Sequence, residues 1–252
     1  MLGIPDQIHA WLFDLDGVLT KTAKVHAAAW KTMFDNYLRE RSSREAGEPG
    51  GAAFVPFDAV ADYETYVDGK PRADGTRSFL LSRGIKLPDG SPDDPPGTET
   101  IWGLSSAKNK LVLRLIREQG VEAYEGSVRY VRAVRDAGMP RAVVSSSANC
   151  RDVLIAAGID DLFDARIDGQ VAAREHLRGK PEPDTFLAGA RALGVTAAEA
   201  AVFEDAQAGV AAGRAGQFGY VVGVDRGGQA DALRANGADT VVTDLAELLE
   251  QP

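Results

Sequence analysis

From residue 127 onward the chain alternates short apolar runs with amphipathic stretches, and this alternation limits the fold more than any other feature. Residues 141–145, 163–167, 200–203, 220–224 and 240–242 read as strands, and residues 127–137, 149–157, 184–193, 206–215, 229–235 and 244–250 read as helices. Strands joined by helical crossovers pair in parallel, with helices on both faces, and their ligands bind beyond the carboxyl ends of the strands. Residues 8–13, rich in large apolar side chains, supply one more strand at the other end of the chain.

Residues 21–120 separate that strand from the rest and contain no strand-like segment. Within residues 23–39, Ala23, Ala27, Trp30, Phe34, Tyr37 and Leu38 share one helical stripe, which reads as core. Residues 57–66, 72–83 and 107–119 read as further helices, residues 68–71 as a turn, and residues 41–54 and 86–100 as loops. The expected fold is α/β: a Rossmann-like parallel-sheet core, residues 1–20 and 121–252, carrying an inserted α-helical cap domain, residues 21–120.

Composition narrows the function. Of 252 residues, 44% are hydrophobic and 26% charged, enough for a sizeable core, and the formal net charge of −9 argues against nucleic acid or an anionic membrane as partner. Cys150 is the single cysteine, so no intrachain disulfide forms, and a lone thiol of this kind reads as a packing residue. His9, His26 and His176 are too scattered for a recognisable metal cluster. No apolar stretch approaches the roughly 20 residues of a membrane span, and no basic region followed by an apolar run opens the chain, so the cytoplasm is expected.

Chemistry enters where the first strand ends, at Phe13-Asp14-Leu15-Asp16-Gly17-Val18-Leu19-Thr20. In an extended segment residues i and i+2 share a face, so Asp14 and Asp16 should point the same way. Like charges that close persist with a cation between them or with one pKa raised, and both arrangements serve phosphoryl transfer. Asp-x-Asp-Gly also fits an ordinary polar turn. Downstream, Val143-Val144-Ser145-Ser146-Ser147-Ala148-Asn149 ends a strand in hydroxyls at a helix start, an anion cradle or a plain N-cap. In Gly179-Lys180-Pro181-Glu182-Pro183-Asp184, prolines restrict where the Lys180 ammonium can go. Val202-Phe203-Glu204-Asp205 ends another strand in two acids, oxygen ligands of the kind magnesium takes. Gly209, Gly213 and Gly216 lack the dinucleotide-binding spacing.

These four strings, in this order, resemble the four motifs of the haloacid dehalogenase (HAD) superfamily, and the chain is most similar to its β-phosphoglucomutase-like members. The resemblance implies that Asp14 forms a phosphoaspartate, Asp16 shuttles the substrate proton, and Ser145 and Lys180 hold the transferring phosphoryl group. It implies Mg2+ on Asp14, the main-chain oxygen of Asp16 and Asp205, with Glu204 a fourth ligand or the orienter of a bound water. In the insertion, Thr22 and His26 match hinge positions, Arg72 matches the residue that holds the distal phosphate, and Lys108 matches one that reaches the active site. Ser147 and Asn149 match substrate-contacting loop positions.

The activity so implied interconverts β-glucose 1-phosphate and glucose 6-phosphate through a bisphosphate intermediate, performed by a monomer with a small phosphorylated sugar as its partner. Two departures, the long stretches 40–62 and 86–103 and Gly75 where a Ser is usual, bear on substrate choice. A Mg-dependent phosphatase shares every core residue, and a receiver-like module phosphorylated on Asp14 is a third reading.

Overall fold

Ala10–Phe13 form β1, buried along its whole length near the middle of a six-stranded parallel sheet. The computed structural model describes residues 2–45 and 54–249. After β1 come α1 (Ala23–Glu45), α2 (Arg72–Ser82), α3 (Ile101–Gln119) and α4 (Glu125–Asp136). The chain continues through β2 (Arg141–Val144), α5 (Cys150–Ala156), β3 (Ala165–Ile167), α6 (Gly169–Arg174) and α7 (Asp184–Ala192). It ends with β4 (Ala200–Glu204), α8 (Gln207–Ala215), β5 (Tyr220–Val224), α9 (Ala230–Ala235) and β6 (Thr240–Val242). The strand order is β3-β2-β1-β4-β5-β6.

Two compact units result: Met1–Thr22 with Asp68–Pro71 and Val121–Pro252, and Ala23–Val67 with Arg72–Gly120. In the first, successive β1 side chains enter different cores. Leu12 packs with Val144, Phe186, Val202 and Val210. Trp11 and Phe13 face a second, aromatic cluster, in which Phe13 stacks on Phe203 at 4.6 Å and the Trp11 Nε1–H donates to the Tyr130 hydroxyl at 3.2 Å. Burial on both faces is why β1 is continuously apolar rather than alternating.

The second unit is helical and centres on the aromatic stripe of α1. Phe34 lies 5.2 Å from Trp30, 5.2 Å from Phe57 and 4.2 Å from Phe79, centroid to centroid. Gly75 belongs here because a Cβ would come within 3.3 Å of Trp30 and Val67, which a Ser would crowd. Phe34→Ala should cost about 3–5 kcal/mol through lost burial and the cavity left behind. Urea denaturation reads this, and a loss below about 1 kcal/mol would mean that the stripe does not hold the unit together.

Several boundaries differ from expectation. Residues 41–45, expected in a loop, extend α1, and residues 46–53 of that expected loop lie outside the described residues. α3 begins at Ile101 because the Thr100 hydroxyl accepts from the Gly103 amide at 2.9 Å, a cap hidden behind a Pro-rich loop. The helix expected at 57–66 shrinks to a π-turn, Tyr63–Val67, after residues 61–62. α6 was not expected; Asp168 caps it, accepting from the Gln170 and Val171 amides at 3.0 and 2.9 Å. The last helix is a short 3-10 segment, Leu245–Leu249. Among the described residues no helix is long and apolar enough to cross a membrane.

Candidate active site

Three adjacent strands deliver the chemistry because their register aligns their ends. Phe13 pairs with Val143 on β2 and with Phe203 on β4, so Asp14, Ser145 and Glu204-Asp205 follow at one sheet edge. The Asp14 amide still belongs to the ladder, donating to the Phe203 carbonyl at 2.9 Å. One carboxylate oxygen each from Asp14, Glu204 and Asp205 lies within 4.8 Å of the others, and all three residues are buried.

Lys180 is inside this cluster. Its Nζ donates to Asp14 Oδ1 at 2.5 Å, Glu204 Oε1 at 2.5 Å and the Val144 carbonyl at 3.3 Å, and it lies 4.7 Å from the Phe186 ring centre. Its three protons are therefore spent on the protein. Burial works against its charge, but the Asp14 and Glu204 carboxylates outweigh that and keep the ammonium protonated. One cation does not balance three acids. Burial first, and then the Glu204 and Asp16 charges, push the Asp14 carboxyl well above the usual carboxylate range despite Lys180. Asp205 is raised likewise by burial, with Asp68, Glu204, Asp14 and Asp16 adding to the effect. Glu204 spends both oxygens internally, Oε1 on Lys180 and Oε2 on the Ala206 amide at 2.8 Å.

Asp16 is close enough for its charge to raise both Asp14 and Asp205, and it is held by a partner of its own. β1 stops at Phe13, the chain bends at Leu15, and the Thr22 hydroxyl donates to Asp16 Oδ1. The two carboxylates differ in what holds them: Asp14 has Lys180 on Oδ1, and Asp16 has the Thr22 hydroxyl on Oδ1. Thr22 is buried, with its oxygen 2.6 Å from that of Thr20. Gly17, at φ +88°, makes the turn, and a Cβ there would collide with the Asp205 carboxylate.

Ser145 is buried, accepts from the Ser147 amide at 3.0 Å and donates to no group among the described residues, so its hydroxyl proton is left for a ligand. Ser147 caps the next turn, accepting from the Asn149 amide at 3.1 Å. These serines thus occupy the amides of residues 147 and 149.

In matches to known proteins, the haloacid dehalogenase-like hydrolase family covers residues 8–217. The chain belongs to the haloacid dehalogenase-like hydrolases. Within that family it is 58% identical to the β-phosphoglucomutase of Mycobacterium bovis, across 99% of this chain and 94% of the relative. It is 31% identical to that of Bacillus subtilis, across 95% of this chain and 91% of the relative. Its fold matches a β-phosphoglucomutase crystal structure from Clostridium difficile with TM-score 0.72 and 26% identity, over 96% of this chain and 93% of that chain.

The helical unit holds Lys108 and Arg72. There, Lys108 is buried, its ammonium 2.9 Å from His26 Nδ1 and 4.7 Å from the Trp30 ring centre. Arg72 opens α2, and burial lowers its pKa. It lines a cavity of about 930 Å3 with Asn109, Lys110 and Arg114 of α3 and with Asp94 and Pro96 of the long loop. Cys150 is fully buried and its thiol pKa is pushed up by burial, which suits packing.

Sequence reasoning missed Asp68, which sits close enough to add to the raised pKa of Asp205. The turn carrying it packs in the first unit, with the Gly69 carbonyl accepting from the Ser146 hydroxyl at 2.7 Å. Nothing local in Asp68-Gly69-Lys70-Pro71 marks it as more than a turn.

Proposed function

We propose that the chain is a β-phosphoglucomutase that moves a phosphoryl group between the 1- and 6-oxygens of glucose through a phosphoaspartate on Asp14 and a bisphosphate intermediate. The observation that carries this reading is the Lys180-bound Asp14 at a sheet edge, in a chain related over its full length to the mycobacterial enzyme.

The Asp14 carboxylate forms a bond to phosphorus while the bond from phosphorus to the sugar oxygen breaks. Lys180 holds Asp14 Oδ1 and so orients the carboxylate, its charge favouring the ionised form against burial and the neighbouring acids. Asp16, held by the Thr22 hydroxyl, gives a proton to the departing sugar oxygen and takes it back in the return step. The Ser145 hydroxyl donates to an oxygen of the group in transit, with the charge on Lys180 close behind Asp14. In the helical unit we assign Arg72 to the non-reacting phosphate and His26 and Lys108 to substrate contact, and in the sheet unit Ser147 and Asn149 to substrate contact, support for which is resemblance alone.

The donor set fits Mg2+: hard oxygen ligands, buried, with an excess of negative charge. Asp14, Asp205 and the main-chain oxygen of Asp16 would hold it, with Glu204 completing or orienting the set. When bound, the ion supplies charge that offsets the carboxylates and the phosphoryl oxygens. Saturation at a hundred times Kd should add about 2.7 kcal/mol to stability. A thermal melt with and without Mg2+ reads this, Asp205→Asn should remove the gain, and an unchanged gain in that variant would place the ion elsewhere.

The formal charge of −9 also suits a protein that works in the cytoplasm on a small diffusible sugar phosphate, without nucleic acid or membrane; we take it to act as a monomer. Incubation with Mg2+, β-glucose 1-phosphate and a trace of the 1,6-bisphosphate, following glucose 6-phosphate and free phosphate together, tests the reading. Glucose 6-phosphate should form much the faster. Phosphate release without isomerisation would make the protein a phosphatase.

A further inference from the structure

Asp14 and Asp16 are held by different means. Asp14 has a backbone bond in the sheet and Lys180 on its carboxylate. Asp16 lies past the ladder, on the turn formed by Gly17 and Val18. That turn is gripped from beyond the end of β5 by one side chain that no motif includes.

Arg226 follows β5. Its Nε donates to the Gly17 carbonyl at 3.0 Å and its Nη2 to the Val18 carbonyl at 3.4 Å and the Ser127 hydroxyl at 3.1 Å. Its Nη1 donates to the Thr243 carbonyl at 2.6 Å and meets Asp244 at 3.3 Å. The guanidinium lies flat against Tyr124, 3.7 Å from the ring centre. The loop beneath it is fixed as well. The Asp225 amide donates to the Val242 carbonyl, and Asp225 Oδ1 accepts from the amides of Gly227, Gly228 and Gln229 at 3.1, 2.6 and 2.9 Å.

We infer that Arg226 is a positioning residue for the proton-transfer group: by clamping the Gly17 and Val18 carbonyls to the end of β5 it sets where Asp16 stands relative to Asp14. This rests on the reading of Asp14 as nucleophile and Asp16 as acid–base. A planar fork of five donors is what two adjacent carbonyls, a hydroxyl and a third carbonyl require, and a lysine ammonium cannot span them. A displacement of order 1 Å at a catalytic group costs on the order of 100-fold in rate.

The test separates a step that needs the proton from one that does not. In transfer from a sugar phosphate, the leaving oxygen must be protonated. In transfer from acetyl phosphate, the Asp14 oxygen bonds to phosphorus, the bond to acetate breaks, and acetate leaves with the electron pair as an anion, needing no acid. Arg226→Lys should lower kcat for glucose 6-phosphate formation about 100-fold with KM nearly unchanged, while phosphoenzyme formation from acetyl phosphate stays within roughly threefold of the parent. Tyr124→Leu, which removes the stacking face and leaves Arg226 in place, should shift the same ratio by a smaller factor and serves if the first variant does not fold. Equal losses with both donors, or none with either, would overturn the inference. Failure of the parent protein to form glucose 6-phosphate would overturn the mutase reading instead.

Discussion

Asp14→Asn should lower kcat by at least about 10^4-fold, roughly 5.5 kcal/mol of transition-state stabilisation, with the protein still folded. An amide is a poor nucleophile and cannot form the mixed anhydride through which the proposed transfer runs. The fold survives because burial and neighbouring carboxylates already raise the Asp14 pKa, so a neutral isostere replaces a charge that the site strains to hold, while Lys180 keeps Glu204 as partner. Steady-state turnover beside a thermal melt reads both halves. Activity above about 1% of the parent in a correctly folded variant would remove Asp14 as the nucleophile.

Lys180→Met has the second largest expected effect, and it acts on stability as well as rate. Removing the ammonium leaves Asp14 and Glu204 buried without their counter-ion, a loss of about 3–5 kcal/mol near neutral pH. The pH dependence has a definite sign. Asp14 and Asp205 have folded-state pKa values above those of the unfolded chain, so the folded protein retains protons that the unfolded one has released. Stability from such groups is complete below the unfolded pKa and is lost as pH rises through the folded one. Without Lys180, whose charge and hydrogen bond lower it, the Asp14 carboxyl rises further, so metal-free urea denaturation should show a smaller penalty at pH 5 than at pH 8. A penalty that grew as pH fell would mean that the cluster is ionised and compensated in some other way.

What was legible in the sequence follows from how local each signal is. β1, β2 and β4 are buried on both faces, and their continuous apolar runs stand out against the polar segments that follow. Asp14, Lys180, Glu204 and Asp205 sit in strings specific enough to single out together, and the structure gathers them into one cluster although Lys180 is 166 residues from Asp14. What holds Asp16 was not legible, because strand geometry describes an extended segment whereas β1 stops at Phe13, the chain bends at Leu15 and the Thr22 hydroxyl reaches back to the carboxylate. Arg226 was equally hidden: an arginine beside two glycines looks like solvated loop, and its partners at Gly17 and Val18 lie more than 200 residues away. α6, six residues long, is too short for periodicity to show, and only the Asp168 cap defines its start.

The most direct measurement of the central claim is a rapid acid quench of the enzyme turning over with Mg2+ and 32P-labelled glucose 1,6-bisphosphate, followed by peptide mapping under acidic conditions. The label should appear on the peptide containing Asp14, accumulate before steady state is reached, and vanish in Asp14→Asn. Isomerisation proceeding without labelled protein, or with the label on any other residue, would contradict the account.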